Sequence, residues 1–253
     1  MQKKSSGLLT PHREIIHTFS TRIGGTSKPP YESLNLGFHV GDRPEDVTDN
    51  HRLLAKEMGY NLSQLVHMRQ IHSDKIVIID PSQHDFRHPP ECDALLTNQK
   101  GIPLMVMVAD CTPVLFYDAH KGVIGVAHAG RAGALQGIVP KALKKMQTHF
   151  SSCLQDIQVI LGPSIGACCY EVNEEIVQEV REKGYDLSTV TKKGRHYLDV
   201  NSIIHKQLRE IGLDDQQVED LSVCNACEHK SYFSYRADRQ MTGRFAGVIM
   251  LKA

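Results

Sequence analysis

Three short stretches of the chain place a side chain able to bind metal at the end of an apolar run. They are Gln70-Ile71-His72-Ser73, Val108-Ala109-Asp110-Cys111-Thr112-Pro113 and Val126-Ala127-His128-Ala129-Gly130. Two imidazoles and a thiolate make the three-ligand set that a catalytic zinc keeps while its fourth position stays open to water or substrate. The same atoms allow a second chemistry without metal, with Cys111 as nucleophile and His72 or His128 as its base. Spacing does not choose between them. Gaps of 39 and 17 residues match no compact zinc-finger pattern, so the fold itself must bring the three together.

Other motifs carry weaker chemistry. Arg22 in Ser20-Thr21-Arg22-Ile23-Gly24-Gly25, and Arg236, Arg239 and Arg244 in the 235–244 segment, sit in turn-rich contexts. An arginine beside glycine can present its fork to a phosphate or carboxylate while backbone N–H groups assist. Cys224-Asn225-Ala226-Cys227 is a CxxC, but no second CxxC completes a zinc knuckle, so inert thiols are the expectation there. Cys168 and Cys169 are adjacent and cannot bridge each other without strain. Gly162-Pro163-Ser164-Ile165-Gly166 is a glycine-bounded turn after a strand, and is neither a P-loop nor a dinucleotide fingerprint.

The elements that must position these residues are mostly strands. Short β-branched or apolar runs predict strands at 15–19, 76–79, 104–108, 114–117, 123–127, 157–161, 218–223 and 246–251. The strands at 104–108, 114–117 and 123–127 come as adjacent neighbours. Helical periodicity predicts helices at 47–58, from 133 to 146, at 174–181 and at 200–211. Asn173 and Asp199 are the expected N-caps of the last two, Val172 and Val177 a hydrophobic staple, and Gly212 the C′ residue. The fold class expected is α+β, one domain over residues 1–253, with sheets packed face to face and helices outside.

Composition narrows the function classes. Lys plus Arg equals Asp plus Glu, 29 each, and no block of like charge stands out, so neither nucleic acid nor an anionic membrane is an expected partner. The apolar run 102–109 is too short to span a bilayer. The basic N-terminus has no apolar h-region behind it and does not read as a signal peptide. Seven cysteines, an odd number, argue against a secreted disulfide framework. A soluble, cytoplasmic monomer is expected.

Taken together, the motifs resemble the laccase-domain family, variously described as polyphenol oxidases, peptidoglycan-editing factors and FAMIN-type purine nucleoside enzymes. The resemblance runs from Phe19-Ser20-Thr21-Arg22 and Tyr31-Glu32-Ser33-Leu34-Asn35-Leu36-Gly37 through the His72, Cys111 and His128 motifs. It continues to Gly162-Pro163-Ser164-Ile165-Gly166, Cys169-Tyr170-Glu171-Val172, Phe233-Ser234-Tyr235-Arg236 and Thr242-Gly243-Arg244. It implies a four-layer α/β/β/α sandwich with mixed sheets, and zinc (copper being the other candidate) held by His72, Cys111 and His128. It also implies phosphorolysis of adenosine, inosine and S-methyl-5′-thioadenosine with inorganic phosphate as co-substrate, and adenosine deamination. The expected substrate contacts are Arg22, Asn35, Arg236 and Arg244, and Asp93 or Asp110 is the expected proton carrier for deamination, with anchoring of the strand end as the other role open to Asp110. Two other activities stay open, a Cys–His hydrolase of amide bonds in cell-wall precursors and a copper-dependent polyphenol oxidase. One departure from the family pattern stands out. Gly130-Arg131-Ala132-Gly133 replaces the usual Gly-Trp-Arg-Gly, and the chain has no Trp.

Overall fold

The apolar runs become strands buried on both faces, because each of the two main sheets lies between the other sheet and a helical layer. The computed structural model describes residues 2–80, 82 and 88–253. A six-stranded mixed sheet runs in the order Val218–Asp220, Ile157–Leu161, Thr112–Asp118, Val123–Ala129, Ala94–Thr97, Ile76–Ile78, with its outermost pairs parallel and the rest antiparallel. A four-stranded antiparallel sheet orders Lys3–Lys4, Ile15–Ser20, Phe245–Leu251 and Leu104–Val108. Glu171–Val172, Thr189–Lys192 and Arg195–Leu198 form a small third sheet.

Side-chain alternation assigns the layers. Leu115, Tyr117, Ile124 and Val126 of the large sheet meet Phe19, Val106, Val108 and Ile249 of the small one in a shared core. Their neighbours Val114, Phe116, Ala127 and Ala129 face the other way, against Ile138, Val139 and Leu143, Val177 and Val180, and Ile203 and Leu208. These belong to the helices Ile138–Phe150, Glu174–Glu182 and Val200–Glu210. Met105, Met107 and Val248 cover the remaining face with Leu54 and Ala55 of helix Pro44–Met58. Each fully buried Val, Leu, Ile or Phe contributes on the order of 1.5–3 kcal/mol. The result is the α/β/β/α sandwich. No helix among the described residues is long and apolar enough to cross a membrane.

Both expected caps form: Asn173 accepts from the Ile176 amide and Asp199 from the Ser202 amide. Val172 and Val177 pack in one core, as a staple requires, and Gly212 adopts φ +85. Two expectations need correction. The helix expected from 133 to 146 is two, Arg131–Leu135 and Ile138–Phe150, broken where Gly137 takes φ +77. Strand 104–108 does not neighbour 112–118 in a sheet; the chain crosses from one sheet to the other at Asp110, whose φ is +95. Strand 94–97 and the 189–198 hairpin were not expected. The first is four residues long, and the second is largely exposed and carries no apolar alternation.

Candidate metal centre and active site

The hairpin of strands 112–118 and 123–129 pairs Pro113 with His128 and Thr112 with Ala129, so Cys111 at its open end lies beside His128. His72 arrives from a separate turn, at φ +58. The donor atoms of His72, Cys111 and His128, which could hold a metal ion, all lie within 4.8 Å of one another, and the two imidazoles meet edge to face at 4.8 Å. Left-handed backbone is uncommon for His or Asp. Here it occurs at both His72 and Asp110, on either side of the cluster.

Asp93 fixes this arrangement. It is fully buried, and its Oδ1 accepts from His128 Nδ1 at 2.9 Å and from the His72 amide at 3.0 Å. Its Oδ2 accepts from the Ser73 amide at 2.7 Å and the Ser73 hydroxyl at 2.8 Å. Burial disfavours its charge, but the bonds from His128 and Ser73 outweigh that and lower its pKa to about 2. With Nδ1 so engaged, the other ring nitrogen of His128 is the one left for a metal, an orientation metal-ligating histidines commonly have.

Asp93 is therefore a positioning residue, and the expectation that it carries protons in deamination is corrected: every oxygen it has is committed to holding the site. Asp110 takes the anchoring role left open for it. Its Oδ1 accepts from Ser234 Oγ at 2.7 Å and its Oδ2 from the Arg236 amide at 2.7 Å, tying the sheet crossing to the 234–236 turn.

Burial opposes ionisation of Cys111, yet the neighbouring His128 and His72 more than compensate and bring the thiol down to about 6. Burial likewise opposes a charged His128, while the Cys111 sulfur and Asp93 raise it to about 9. The cluster thus favours a thiolate, the form that binds metal or attacks an electrophile. The donor set fits a metal on steric grounds too. A Cβ at Gly130 would stand 2.8 Å from Cys111 Sγ and 3.4 Å from the His72 ring, so glycine keeps the space among the three donors clear.

His72, Cys111 and His128 open into a cavity of about 880 Å³, also walled by Tyr170, Tyr235, Arg131, Arg236 and Arg244. That is within the range of small-molecule sites. Arg236 stacks over Tyr170 at 5.3 Å, and its Nη1 donates to the carbonyls of Glu171 at 3.0 Å and Cys169 at 3.4 Å. Arg244 Nη1 donates to the carbonyls of Gly243 at 3.0 Å and Thr242 at 3.3 Å. Neither guanidinium is paired with a carboxylate among the described residues.

Arg22 and Asn35 are not brought to this cavity. Arg22 donates to the Glu32 and His229 carbonyls and to Asp238 Oδ2 at 3.2 Å, with its guanidinium 4.6 Å from the Phe233 ring centre. A cation so neutralised is a clamp between distant segments. Asn35 is fully buried; its Oδ1 accepts from the amides of Gly37 and Arg244, so it sets the backbone that presents Arg244.

Tyr170 and Arg131 were not expected in the cavity. Tyr170 had a signal only in its Cys-Tyr-Glu-Val setting, and Arg131 stands where the family's Trp would, in an ion pair with Glu179. Cys224 and Cys227 are not the isolated inert thiols expected, because Cys168 and Cys169 converge on them.

Comparison with known proteins bears on this geometry. Residues 16–252 match the family described as "Multi-copper polyphenol oxidoreductase laccase". A purine nucleoside phosphorylase of Corynebacterium glutamicum is 38% identical over 240 residues, covering 95% of this chain and 96% of that one. One of Streptomyces coelicolor is 39% identical over 233 residues, covering 92% and 94%. The crystal structure of YlmD from Geobacillus stearothermophilus is similar with a TM-score of 0.90 at 33% identity, covering 96% of this chain and 94% of that one. A Bacillus licheniformis protein, YfiH, gives 0.89 at 32% identity, covering 94% and 93%. With nearly the whole length matched, in sequence and in fold, the chain belongs to the multicopper polyphenol oxidoreductase laccase family.

Proposed function

We propose that this chain is a metal-dependent purine nucleoside phosphorylase, residues 1–253 acting as one catalytic unit. The observation that carries the reading is the junction, in one cavity, of the His72–Cys111–His128 donor set with the guanidiniums of Arg236 and Arg244, neither paired with a carboxylate among the described residues. The names of the relatives support the same class.

In phosphorolysis a phosphate oxygen forms a bond to C1′ of the ribose while the C1′–N9 bond breaks. The purine leaves with the electron pair and gains a proton, and the other product is ribose 1-phosphate, or 5-methylthioribose 1-phosphate where the sugar carries the methylthio group. Arg236 and Arg244 hold the phosphate, whose doubly charged form needs cations that no protein carboxylate already neutralises. The Tyr170 ring, under Arg236, offers a flat apolar wall for the base or sugar. Asp93 keeps His128 and His72 oriented, and Gly130 keeps room between them. Zinc held by His72, Cys111 and His128 would supply a Lewis acid beside the departing base. Adenosine, inosine and S-methyl-5′-thioadenosine are the proposed substrates. Adenosine deamination receives less support, since both expected proton carriers are occupied.

A specific observation favours a second reading. Cys111, His128 and Asp93 are aligned as thiolate, imidazole and buried carboxylate, the order of parts in a cysteine hydrolase. The polyphenol oxidase reading has less behind it. A multicopper centre needs many convergent imidazoles, and among the described residues only His72 and His128 meet in such a cluster.

The test is release of hypoxanthine from inosine and adenine from adenosine by zinc-loaded protein, with and without phosphate, beside Cys111→Ala. Phosphate-dependent release, lost in the variant, is the expected result. Activity on amide substrates that survives chelation but not thiol alkylation, with no base release, would replace the phosphorylase by the hydrolase.

A further inference from the structure

Four cysteines outside the cavity meet at one point. Strands 157–161 and 218–220 are parallel neighbours, so the chain leaves both at the same end of the sheet. The pairing continues past the strands. The Ser164 amide donates to the Val223 carbonyl at 3.1 Å, and the Asn225 amide to the Ser164 carbonyl at 3.1 Å. That registry sets Cys168 and Cys169 of one loop against Cys224 and Cys227 of the other.

The sulfur of Cys227 is 3.5 Å from that of Cys168 and 3.4 Å from that of Cys169. All four sulfurs lie within 4.8 Å of one another. A tetrahedral zinc with four thiolates at about 2.3 Å places its sulfurs about 3.8 Å apart. A disulfide would need about 2.05 Å, and all four cysteines are unpaired.

Apolar packing does not account for the cluster. Cys92 is a buried thiol of the inert kind, but Cys168 and Cys227 are exposed and Cys169 and Cys224 only half-buried. Thiols are weak hydrogen-bonding groups, so four of them converging near the surface gain little from one another. Metal coordination would supply the missing attraction. The backbone is also arranged for it: the Gly166 amide points at Cys224 Sγ at 3.4 Å, as a donor to a thiolate does, and the Glu228 amide closes the Cys224–Cys227 turn on the Cys224 carbonyl at 3.0 Å.

We propose that Cys168, Cys169, Cys224 and Cys227 bind a second zinc ion, structural in character because four thiolates leave no coordination position open. This site joins the two loops that build one wall of the cavity. Tyr170 follows Cys169 directly, Arg236 lies nine residues after Cys227, and Arg236 donates to the Cys169 carbonyl across the same junction. The metal would hold that wall while taking no part in the reaction. The inference stands independently of the proposed activity.

The test is metal content per chain after zinc reconstitution under a phosphine reductant and gel filtration, measured for the unsubstituted protein, Cys111→Ser and the double variant Cys224→Ser/Cys227→Ser. Two zinc ions are expected in the first and one in each of the others. Cobalt(II) loaded into Cys111→Ser should give the intense sulfur-to-metal charge-transfer and tetrahedral bands of a four-thiolate site. That arm leaves the four cysteines intact, so it decides the question even where the double variant fails to fold. No tightly held metal in Cys111→Ser, or a cobalt spectrum without thiolate charge transfer, would overturn the proposal. Phosphorylase assays do not enter this test.

Discussion

One oxygen of Asp93 holds both histidines of the His72–Cys111–His128 cluster: Oδ1 accepts from the ring Nδ1 of His128 at 2.9 Å and from the backbone amide of His72 at 3.0 Å. A single buried carboxylate thereby orients one histidine through its ring and the other through its main chain. Asp93→Asn should lower zinc affinity 10- to 100-fold, the usual effect of removing such a partner. It should also destabilise the fold by about 3 kcal/mol, because an amide NH₂ would face donors that now meet a carboxylate. Competition with a chromophoric chelator and urea unfolding read the two effects separately. Unchanged zinc affinity would remove Asp93 from the site.

Gly130 offers a purely steric probe. Its φ is −75, which alanine adopts freely, so any effect of Gly130→Ala comes from the added methyl 2.8 Å from Cys111 Sγ. The variant should fold with near-native thermal stability and hold zinc at least about tenfold more weakly, a cost of roughly 1.4 kcal/mol or more. Elemental analysis after dialysis against a weak chelator checks this.

Arg244 and Arg22 should separate into two phenotypes. Arg244→Ala removes a cation facing the cavity and should raise the KM for phosphate by about 10- to 100-fold, the value of a charge-assisted hydrogen bond. Arg22→Ala leaves Asp238 without its cation in a poorly exposed setting and should cost about 3 kcal/mol of stability, with the phosphate KM of the folded enzyme within about threefold of wild type. Steady-state kinetics beside thermal unfolding distinguishes them, and a reversed pattern would move the anion site to Arg22.

In metal-free protein Cys111 should be alkylated by iodoacetamide with a pH midpoint near 6, well below the ordinary thiol range, because His128 and His72 favour its thiolate despite burial. Reactivity should rise with pH through that midpoint and vanish on adding zinc. Peptide mass spectrometry isolates Cys111 from the other six cysteines. A midpoint above 8 would deny the thiolate.

His51 predicts acid sensitivity. Burial, only partly offset by its bond to the Leu36 carbonyl, lowers its pKa from 6.5 to about 4. Between those values the unfolded chain binds a proton that the folded protein refuses, so stability is complete above 6.5 and falls as the pH drops toward 4. From pH 7 to 5 this single group should cost about 2 kcal/mol. Urea unfolding at the two pH values should show that loss, and His51→Gln, which keeps a donor for Leu36, should show correspondingly less.

Much of the fold was written locally. Strands 104–108 and 157–161 were legible to the residue because apolar, β-branched runs of that length are buried strands. Asn173 and Asp199 marked their helix starts because a cap satisfies amides within three residues. His72, Cys111 and His128 stood out as donors at the ends of apolar runs, and the resemblance to a family joined them into one set.

Contacts between distant segments decided the rest. Whether Arg22 met phosphate or Asp238 depended on a partner more than 200 residues away, and nothing in Ser-Thr-Arg-Ile-Gly-Gly encodes it. Nothing near Asp93 in the sequence shows that its oxygens go to His128, His72 and Ser73. Cys224-x-x-Cys227 looked half-finished because its complement, Cys168-Cys169, lies more than 50 residues earlier in the chain. Sequence alone determined which residues prefer to be buried, extended or helical, since those preferences act within a turn or a strand. The tertiary structure decided which polar groups meet, because a carboxylate, a guanidinium or a thiol takes its role from whatever the parallel and antiparallel pairing of remote strands brings against it.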